Sequence, residues 1–301
     1  MAHTETPTIA VTGATGRLGG RIARRLAGRG IAQRLAVRTP ERAPRLPGAT
    51  AVACRYDRPD QVLTALAGVE TVLMVSGSET PDRVEQHRTF IDAAADAGVA
   101  RLVYVSFAGA SPTATFTLAR DHGATEDHLR ASGLAAIVLR DNFYLDFLPE
   151  LVEADGVIRG PAGDGRVAAV AQDDIADAAA AVLADPAPHD GRTYDLTGRE
   201  ALTLAEAAAV IARHQDRTVT FADQTVAEAY ASRAGQAPDW QLDAWVSTYT
   251  AIAAGELARV SDDIPTLTGH PALTLDELLG EPTRDPPAPT ASTATDREVG
   301  G

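Results

Sequence analysis

The sequence predicts an α/β fold: a doubly wound parallel sheet followed by a smaller, mostly helical C-terminal lobe. Three observations carry that expectation. Short apolar runs alternate with helical patterns through the first half of the 301 residues, the order expected of parallel strands joined by crossover helices. The strand runs are near-continuously apolar rather than alternating, as happens when helices cover both faces of a sheet. After about residue 140 this rhythm gives way to turns and alanine-rich helical patterns.

Taken in order, Thr8–Val11 is the first strand and ends at Thr12-Gly13. A helix follows with Leu18, Ile22 and Leu26 on one stripe, stopped by Gly28 and Gly30. Arg34–Arg38 and Thr50–Cys54 are the second and third strands, a short helix from about Pro59 to Ala67 ends at Gly68, and Thr71–Val75 is the fourth strand. Thr80-Pro81-Asp82 supplies an N-cap, a first-turn proline and an acid. The helix it opens carries Val84, Phe90, Ile91, Ala94 and Ala95 and ends at Gly98. Arg101–Val105 is the fifth strand, a helix runs from about Phe116 to Ala131, and Leu134–Leu139 is the sixth strand.

Further on, Gly160-Pro161 and Gly163-Asp164-Gly165 mark turns. Val167–Val170 reads as a short strand, Asp173 or Asp174 as the cap of an alanine-rich helix reaching Leu183, and Arg192–Leu196 as a late strand. Three Thr-x-x-Glu sequences, Thr203…Glu206, Thr225…Glu228 and Thr274…Glu277, announce helix starts. The expected organisation is a nucleotide-binding domain over residues 7–155, rejoined by the strand near 192–197, and a substrate lobe over 156–280. Residues 281–301 are proline-rich with almost no large apolar side chain and read as a disordered tail.

Composition excludes several chemistries. The single cysteine, Cys54, leaves no internal disulfide and no cysteine-based metal site, and no metal is expected. All 27 basic residues are arginine. Without lysine there is no Schiff-base catalysis, no phosphate loop ending in Lys-Ser/Thr and no kinase-type strand lysine. The N-terminal segment does not read as a secretory leader, and no apolar run reaches membrane-spanning length, so a cytoplasmic protein is expected. The net charge of −14 disfavours nucleic acid and anionic lipid as partners. The charge is uneven. The first 58 residues set 11 arginines against Glu5, Glu41 and Asp57, a net of +8, whereas the remainder carries −22. That basic segment suits a compact dinucleotide, although most of Arg17, Arg21, Arg24, Arg25 and Arg29 are expected simply to solvate the outer face of the first helix.

The strongest motif is Thr12-Gly13-Ala14-Thr15-Gly16-Arg17-Leu18-Gly19, placed between a strand and a helix as a dinucleotide site requires. Gly13 permits the tight turn, Gly16 lets the backbone approach a pyrophosphate, and Gly19 lets the helix pack closely on the strand. Amides at the helix N-terminus then face the phosphates. This makes the sheet Rossmann-like. NAD-binding proteins place an acid at the end of the second strand to hold the ribose diol. Here the strand ends Ala36-Val37-Arg38-Thr39. A guanidinium suits a 2′-phosphate, so NADPH is expected over NADH, with Arg38 the main determinant and Thr39 or Arg17 assisting. Asp57, after the third strand, either accepts from the adenine amino group or caps the next helix.

Chemistry is expected beyond the carboxyl ends of the strands. Ser76-Gly77-Ser78-Glu79, Ser106-Phe107-Ala108-Gly109 and Arg140-Asp141-Asn142-Phe143-Tyr144 lie there. The serines and Asn142 are candidate hydrogen-bonding groups for a nicotinamide ribose or a substrate carbonyl. Phe107, Phe143 and Tyr144 are candidates for a flat apolar wall. The proton donor of short-chain dehydrogenases, a tyrosine with a lysine four residues on, does not exist here. His122 and His128 do not share a helical face and read as surface residues. An alcohol–ketone dehydrogenase needing a positioned acid is therefore disfavoured. A quinone-like acceptor, whose reduced anion is delocalised over a ring, fits better.

These residues resemble the NmrA-like atypical short-chain dehydrogenases/reductases, and among them the NAD(P)H:quinone oxidoreductase type 2 branch. The resemblance covers about residues 7–280 and rests on VTGATGRLGG, AVRTP, RYD, ALAGVETVLMVSGSE, QHRTFIDAAADAGVARLVYVS, GDGRVAAVAQDDIADAAAAVL and TLTGHPALTLDEL. It implies NADPH held by Gly13–Gly19 and Arg38, nicotinamide-side contacts from Ser76, Gly77, Ser78 and the Ser106 segment, and a small-molecule substrate between the lobes, with a homodimer as a candidate assembly. The branch carries Asn, Gly and an aromatic after the arginine ending strand six, where this chain has Asp141, Asn142 and Phe143. The same group includes non-catalytic, redox-sensing regulators that act through protein partners, which is the alternative reading.

Overall fold

In the computed structural model, which describes residues 8–280, the chain runs through β1 (Ile9–Thr12), α1 (Arg17–Gly28), β2 (Gln33–Val37), β3 (Ala49–Ala53), α2 (Pro59–Leu66), β4 (Thr71–Val75), α3 (Arg83–Asp96), β5 (Arg101–Phe107), α4 (Thr117–Ala131) and β6 (Ala135–Asp141). The second half adds β7 (Val157–Gly160), β8 (Arg166–Val167), α5 (Gln172–Ala184), β9 (Thr193–Leu196), β10 (Leu202–Thr203), α6 (Leu204–Gln215) and β11 (Thr220–Asp223). It closes with α7 (Val226–Arg233), α8 (Asp239–Ala253), α9 (Asp263–Thr268) and α10 (Leu275–Gly280). The tail expected over 281–301 lies outside the described residues.

Seven strands form one parallel sheet in the order β3-β2-β1-β4-β5-β6-β9. The order reverses at β1, where Val11 is in register with Leu35 of β2 on one side and Leu73 of β4 on the other. A crevice at the carboxyl ends of β1 and β4 follows from that reversal.

The pleat sorts side chains to opposite faces. Ile9 and Val11 of β1 join α1 and α5 in one core, whereas Ala10 joins α2 and α3 in another. A third core holds the smaller lobe, with Leu204, Ile211, Ile252 and Leu275 fully or almost fully buried. The lobe's two small sheets pair β10 with β8 antiparallel and β11 with β7 parallel. The second half does not stay in that lobe. β9 completes the main sheet beside β6, and α5 packs into the α1 core. All three Thr-x-x-Glu sequences close as reciprocal capping boxes.

Several local expectations are corrected. β3 is an edge strand with an intermediate-to-exposed pattern, not a doubly covered one. Helix α3 starts at Arg83, and its N-cap Asp82 makes no side-chain cap. Only Arg166–Val167 is strand, while Val170 makes a single bridge to Tyr144. Neither Asp173 nor Asp174 caps α5. Its first amide, of Gln172, donates to Asp146 Oδ2 at 2.9 Å, and Asp174 accepts from the Leu273 amide at 2.7 Å. The arginines of α1 also do more than solvate. Arg25 donates to Asp173 at 2.7 Å and Asp177 at 2.5 Å, Arg21 reaches Asp173 and Gln172, and Arg29 donates to the Ala180 carbonyl at 2.7 Å. Charge on one helix is thus matched by charge on its neighbour, clamping α1 to α5. Among the described residues no helix is long and apolar enough to cross a membrane.

Candidate active site

The turn from β1 into α1 forms a backbone cradle. Gly13 sits at φ +66°, in the left-handed region that glycine favours, and a Cβ there would meet Val75 Cβ at 3.1 Å. A Cβ on Gly19 would lie 2.4 Å from the Gly13 carbonyl oxygen, so only glycine allows α1 to approach the loop this closely. The Gly16 amide donates to the Gly13 oxygen at 2.9 Å. Helix α1 has no acid in its first turn and no side-chain cap. Its N-terminal amides and dipole therefore remain available to an anion. Thr12, at the end of β1, accepts from the Val75 amide and meets the Tyr56 hydroxyl, which donates to the Val75 carbonyl at 2.6 Å. These bonds tie together the three segments that border the crevice.

A cavity of about 420 Å³ opens beside the cradle. Gly13, Thr15 and Gly16 line one end, Ser76, Gly77 and Ser78 another. Arg38, Arg42 and Arg55 supply cationic groups along it. Arg38 is exposed just past the end of β2. Arg55 is paired to Asp57 by two hydrogen bonds of 3.0 and 2.9 Å, which hold the Asp57 carboxyl below its usual range. Asp57 lines the cavity and does not cap α2, whose N-cap is Arg58. Cys54 also lines it, and burial pushes that thiol up to about 12, which removes it as a nucleophile at neutral pH. Glycine cradle, free helix amides and three guanidiniums together fit a phosphorylated dinucleotide.

The Ser76–Ser78 loop is held from behind by α3. The Gly77 amide donates to Nε2 of buried His87 at 2.8 Å, so the proton of that ring sits on Nδ1, which donates to Thr125 Oγ1 at 2.9 Å. Burial, with Arg83 nearby, pushes His87 down to about 3 and keeps the ring a neutral acceptor.

A second cavity of about 460 Å³ lies under the smaller lobe. Ser76 lines both cavities. Phe107, Phe116, Phe143 and Tyr144 give the second one aromatic walls, and Trp245 and Thr248 of α8 close it from the lobe. Phe107 and Phe116 meet edge to face at 5.0 Å. The polar groups are few. Asn142 is buried and largely committed, donating to the Leu257 carbonyl at 3.0 Å and accepting from the Phe143 amide at 2.7 Å. The Tyr144 hydroxyl donates to Asp141 Oδ2 at 2.7 Å. Burial lifts the Asp141 carboxyl to about 8 despite that hydrogen bond and the nearby Arg83 charge, and it lifts the Tyr144 hydroxyl well above its ordinary value. His122 is buried between Tyr104, 2.8 Å from Nδ1, and Arg83, 3.0 Å from Nε2. Burial, then Arg83 and His87, holds it far below the usual range, so it is neutral.

Some expected site residues stand elsewhere. Ser106 is fully buried and donates to Glu126 Oε1 at 2.6 Å, so its hydroxyl is turned away from both cavities' linings. Glu126 also accepts from Arg140 and Arg130. Burial works against its charge, but the Arg140 and Ser106 hydrogen bonds outweigh that and hold it low. Arg17 pairs with Glu150 at 2.7 Å and lies over the Phe147 ring, on the rim of the second cavity and not in the first. Leu18 is buried core. The expectation of a surface histidine fails for His122, whereas half-exposed His128 pairs with Asp92. Arg42, Arg55, His87, Arg83, Phe147 and Trp245 were not singled out from sequence. The arginine excess of the first 58 residues was a signal for the first two. His87 falls within the QHRTFIDAAADAGVARLVYVS segment that carries the resemblance, whereas Arg83, Phe147 and Trp245 come from elements distant in the chain and left no local signature.

A parallel sheet with a glycine cradle at its switch point and an apolar cavity sharing one wall with it defines the Rossmann-type oxidoreductases that bind a nicotinamide dinucleotide. The chain belongs to the NAD(P)H-binding family, whose profile matches residues 13–186, and is an NAD(P)H-dependent oxidoreductase. Quinone oxidoreductase 2 of Escherichia coli is 36% identical over 280 residues, 90% of this chain and 97% of that protein. An NAD(P)H azoreductase of Xenophilus azovorans is 30% identical over 276 residues, 90% of this chain and 96% of that protein. The crystal structure of the Escherichia coli NADPH-dependent quinone oxidoreductase complexed with NADPH superimposes with a TM-score of 0.83 at 34% identity, over 90% of this chain and 98% of that one.

Proposed function

We propose that this reductase uses NADPH, in preference to NADH, to reduce a quinone-like acceptor. The carrying observation is that Ser76 borders both the cationic cavity beside the glycine cradle and the aromatic cavity under the lobe. A dinucleotide laid from Arg38 past the cradle places its nicotinamide end at that shared wall. Gly13, Gly16 and the first amides of α1 would hold the diphosphate, Arg38 with Arg42 the 2′-phosphate, and the Ser76–Ser78 loop, set by His87, the nicotinamide side. When bound, the reduced nicotinamide supplies a hydride.

The rest falls to the chain's own side chains. Phe107, Phe143 and Tyr144 line a flat apolar wall against which a ring stacks, excluding water from the reacting face. Residues 7–155 serve the dinucleotide in this reading, and the lobe from 156 onward closes the acceptor cavity through Trp245 and Thr248. No Tyr-Lys pair is present, since the chain contains no lysine among its basic residues. A quinone tolerates that loss, because its reduced anion is delocalised. The names of the quinone and azo-compound reductases among the relatives support an aromatic acceptor.

The test is NADPH oxidation followed optically with a panel of benzoquinones and naphthoquinones. Saturable turnover is expected. Tight NADPH binding with no turnover on any quinone would overturn the reading in favour of a redox-sensing regulator.

A further inference from the structure

Arg83 stands out among the groups that line the acceptor cavity. Its side chain is 5% exposed, and it projects from the first turn of α3 into the space bordered by His122, Asp141 and Tyr144. One nitrogen, Nη2, lies 3.0 Å from His122 Nε2. Since arginine only donates, the His122 ring must accept there and direct its own proton at the Tyr104 hydroxyl. The other two nitrogens, Nε and Nη1, are buried and make no hydrogen bond among the described residues. The nearest carboxylate, Asp121, is 3.8 Å from Nη1, an ion pair without a hydrogen bond. A buried guanidinium with two idle N–H groups is costly to fold around unless a ligand completes it.

We propose that Arg83 is a catalytic residue: as the acceptor seats, the guanidinium turns toward the cavity its side chain lines, and its unpartnered N–H groups take the acceptor oxygen on which negative charge settles during reduction. The proposal rests on the second cavity being the acceptor site. A quinone that gains a hydride becomes the hydroquinone monoanion. Both C=O π bonds open into the aromatic ring, one oxygen carries the proton and the other the charge. Arg83 holds the charged oxygen, and a proton from solvent completes the hydroquinone on release. Charge-assisted hydrogen bonds in a dry site are the strong ones.

The other charged groups at this cavity leave room for that anion. Asp141 is uncharged at neutral pH, its carboxyl lifted to about 8 by burial. Glu150 is engaged by Arg17, and Glu79 is exposed at the mouth. Tyr144 is spent on Asp141 and His122 is neutral. Among the described residues lining the cavity, Arg83 is the sole permanent cation.

The experiment reads binding directly, through quenching of Trp245 fluorescence in a Trp240→Phe background. The probes are a hydroxynaphthoquinone that is ionised at neutral pH, carrying the charge in its resting state, and a neutral methylnaphthoquinone. Arg83→Met is expected to weaken the anionic probe about tenfold or more, equivalent to 1.4 kcal/mol per tenfold, while the neutral probe and NADPH change less than about twofold. Anion affinity within twofold of the parent overturns the role of Arg83 and leaves the acceptor site standing. If neither probe quenches Trp245 in the parent, the acceptor-site reading falls and the proposal with it. Should Arg83→Met not fold, Asp121→Asn decides: removing the competing carboxylate tightens the anionic probe if Arg83 binds it, and unchanged or weaker binding overturns the proposal.

Discussion

Asp141→Asn should change how stability depends on pH, by an amount the structure sets. Burial lifts the folded carboxyl to about 8, against about 3.9 in an unfolded chain. The sign follows from proton counting. Across the window from about pH 4 to about pH 8 the folded state keeps a proton that the unfolded state has lost, so stability falls as pH rises. In mid-window the slope is about 1.4 kcal/mol per pH unit, whatever the upper limit of the shift. Asparagine keeps an oxygen to accept from Tyr144 but does not titrate. The difference in unfolding free energy between variant and parent should therefore widen by roughly 3 kcal/mol between about pH 5 and about pH 7, in the variant's favour. Urea titrations of both proteins at several pH values give that difference, and matched m-values show that it reports stability. A difference that stays constant across the window would refute the claim that Asp141 is protonated in the folded protein.

Arg38→Asp should weaken NADPH by about a hundredfold and NADH by less than tenfold. Calorimetry with both nucleotides measures this, and parallel losses would show that Arg38 does not read the 2′-phosphate. Gly19→Ala puts a Cβ 2.4 Å from the Gly13 carbonyl, which forces α1 off the loop. A cost of about 1–3 kcal/mol should appear as a lowered urea midpoint together with lost NADPH affinity, and intact affinity would separate the cradle from binding. Asp173→Asn strips charge from a carboxylate only 9% exposed that accepts from Arg21 and Arg25, and should cost roughly 2–3 kcal/mol. Arg213→Ala, at an exposed pair with Asp276, should cost under about 1 kcal/mol, and equal losses would contradict the role given to burial.

The main sheet was legible because its signals are local. Apolar runs such as Thr71–Val75, glycine stops such as Gly68 and Gly98, and the three Thr-x-x-Glu boxes each act within one element or its flank. The cradle was legible for the same reason: Gly13, Gly16 and Gly19 meet one another across a single turn. Ser106 misled because its strand-end position says nothing of Glu126, twenty residues on, which takes its hydroxyl. His122 misled because helical spacing compares it only with His128, whereas Tyr104 from β5 and Arg83 from α3 enclose it.

The sequence by itself determined the order of strands and helices, the glycine turn, the lack of an acid after β2 and the lysine-free chemistry that rules out a Tyr-Lys pair. These are properties of residue type and short spacing, governed by backbone sterics and hydrophobic period. Only the tertiary structure decided which charges are bare. Packing α1 on α5 engaged Arg21, Arg25 and Arg29 of the first helix, packing α3 against α4 buried Arg83 with two nitrogens unpartnered among the described residues, and burial at the end of β6 left Asp141 protonated. Desolvation and pairing depend on neighbours that are distant in the chain, so no local pattern encodes them.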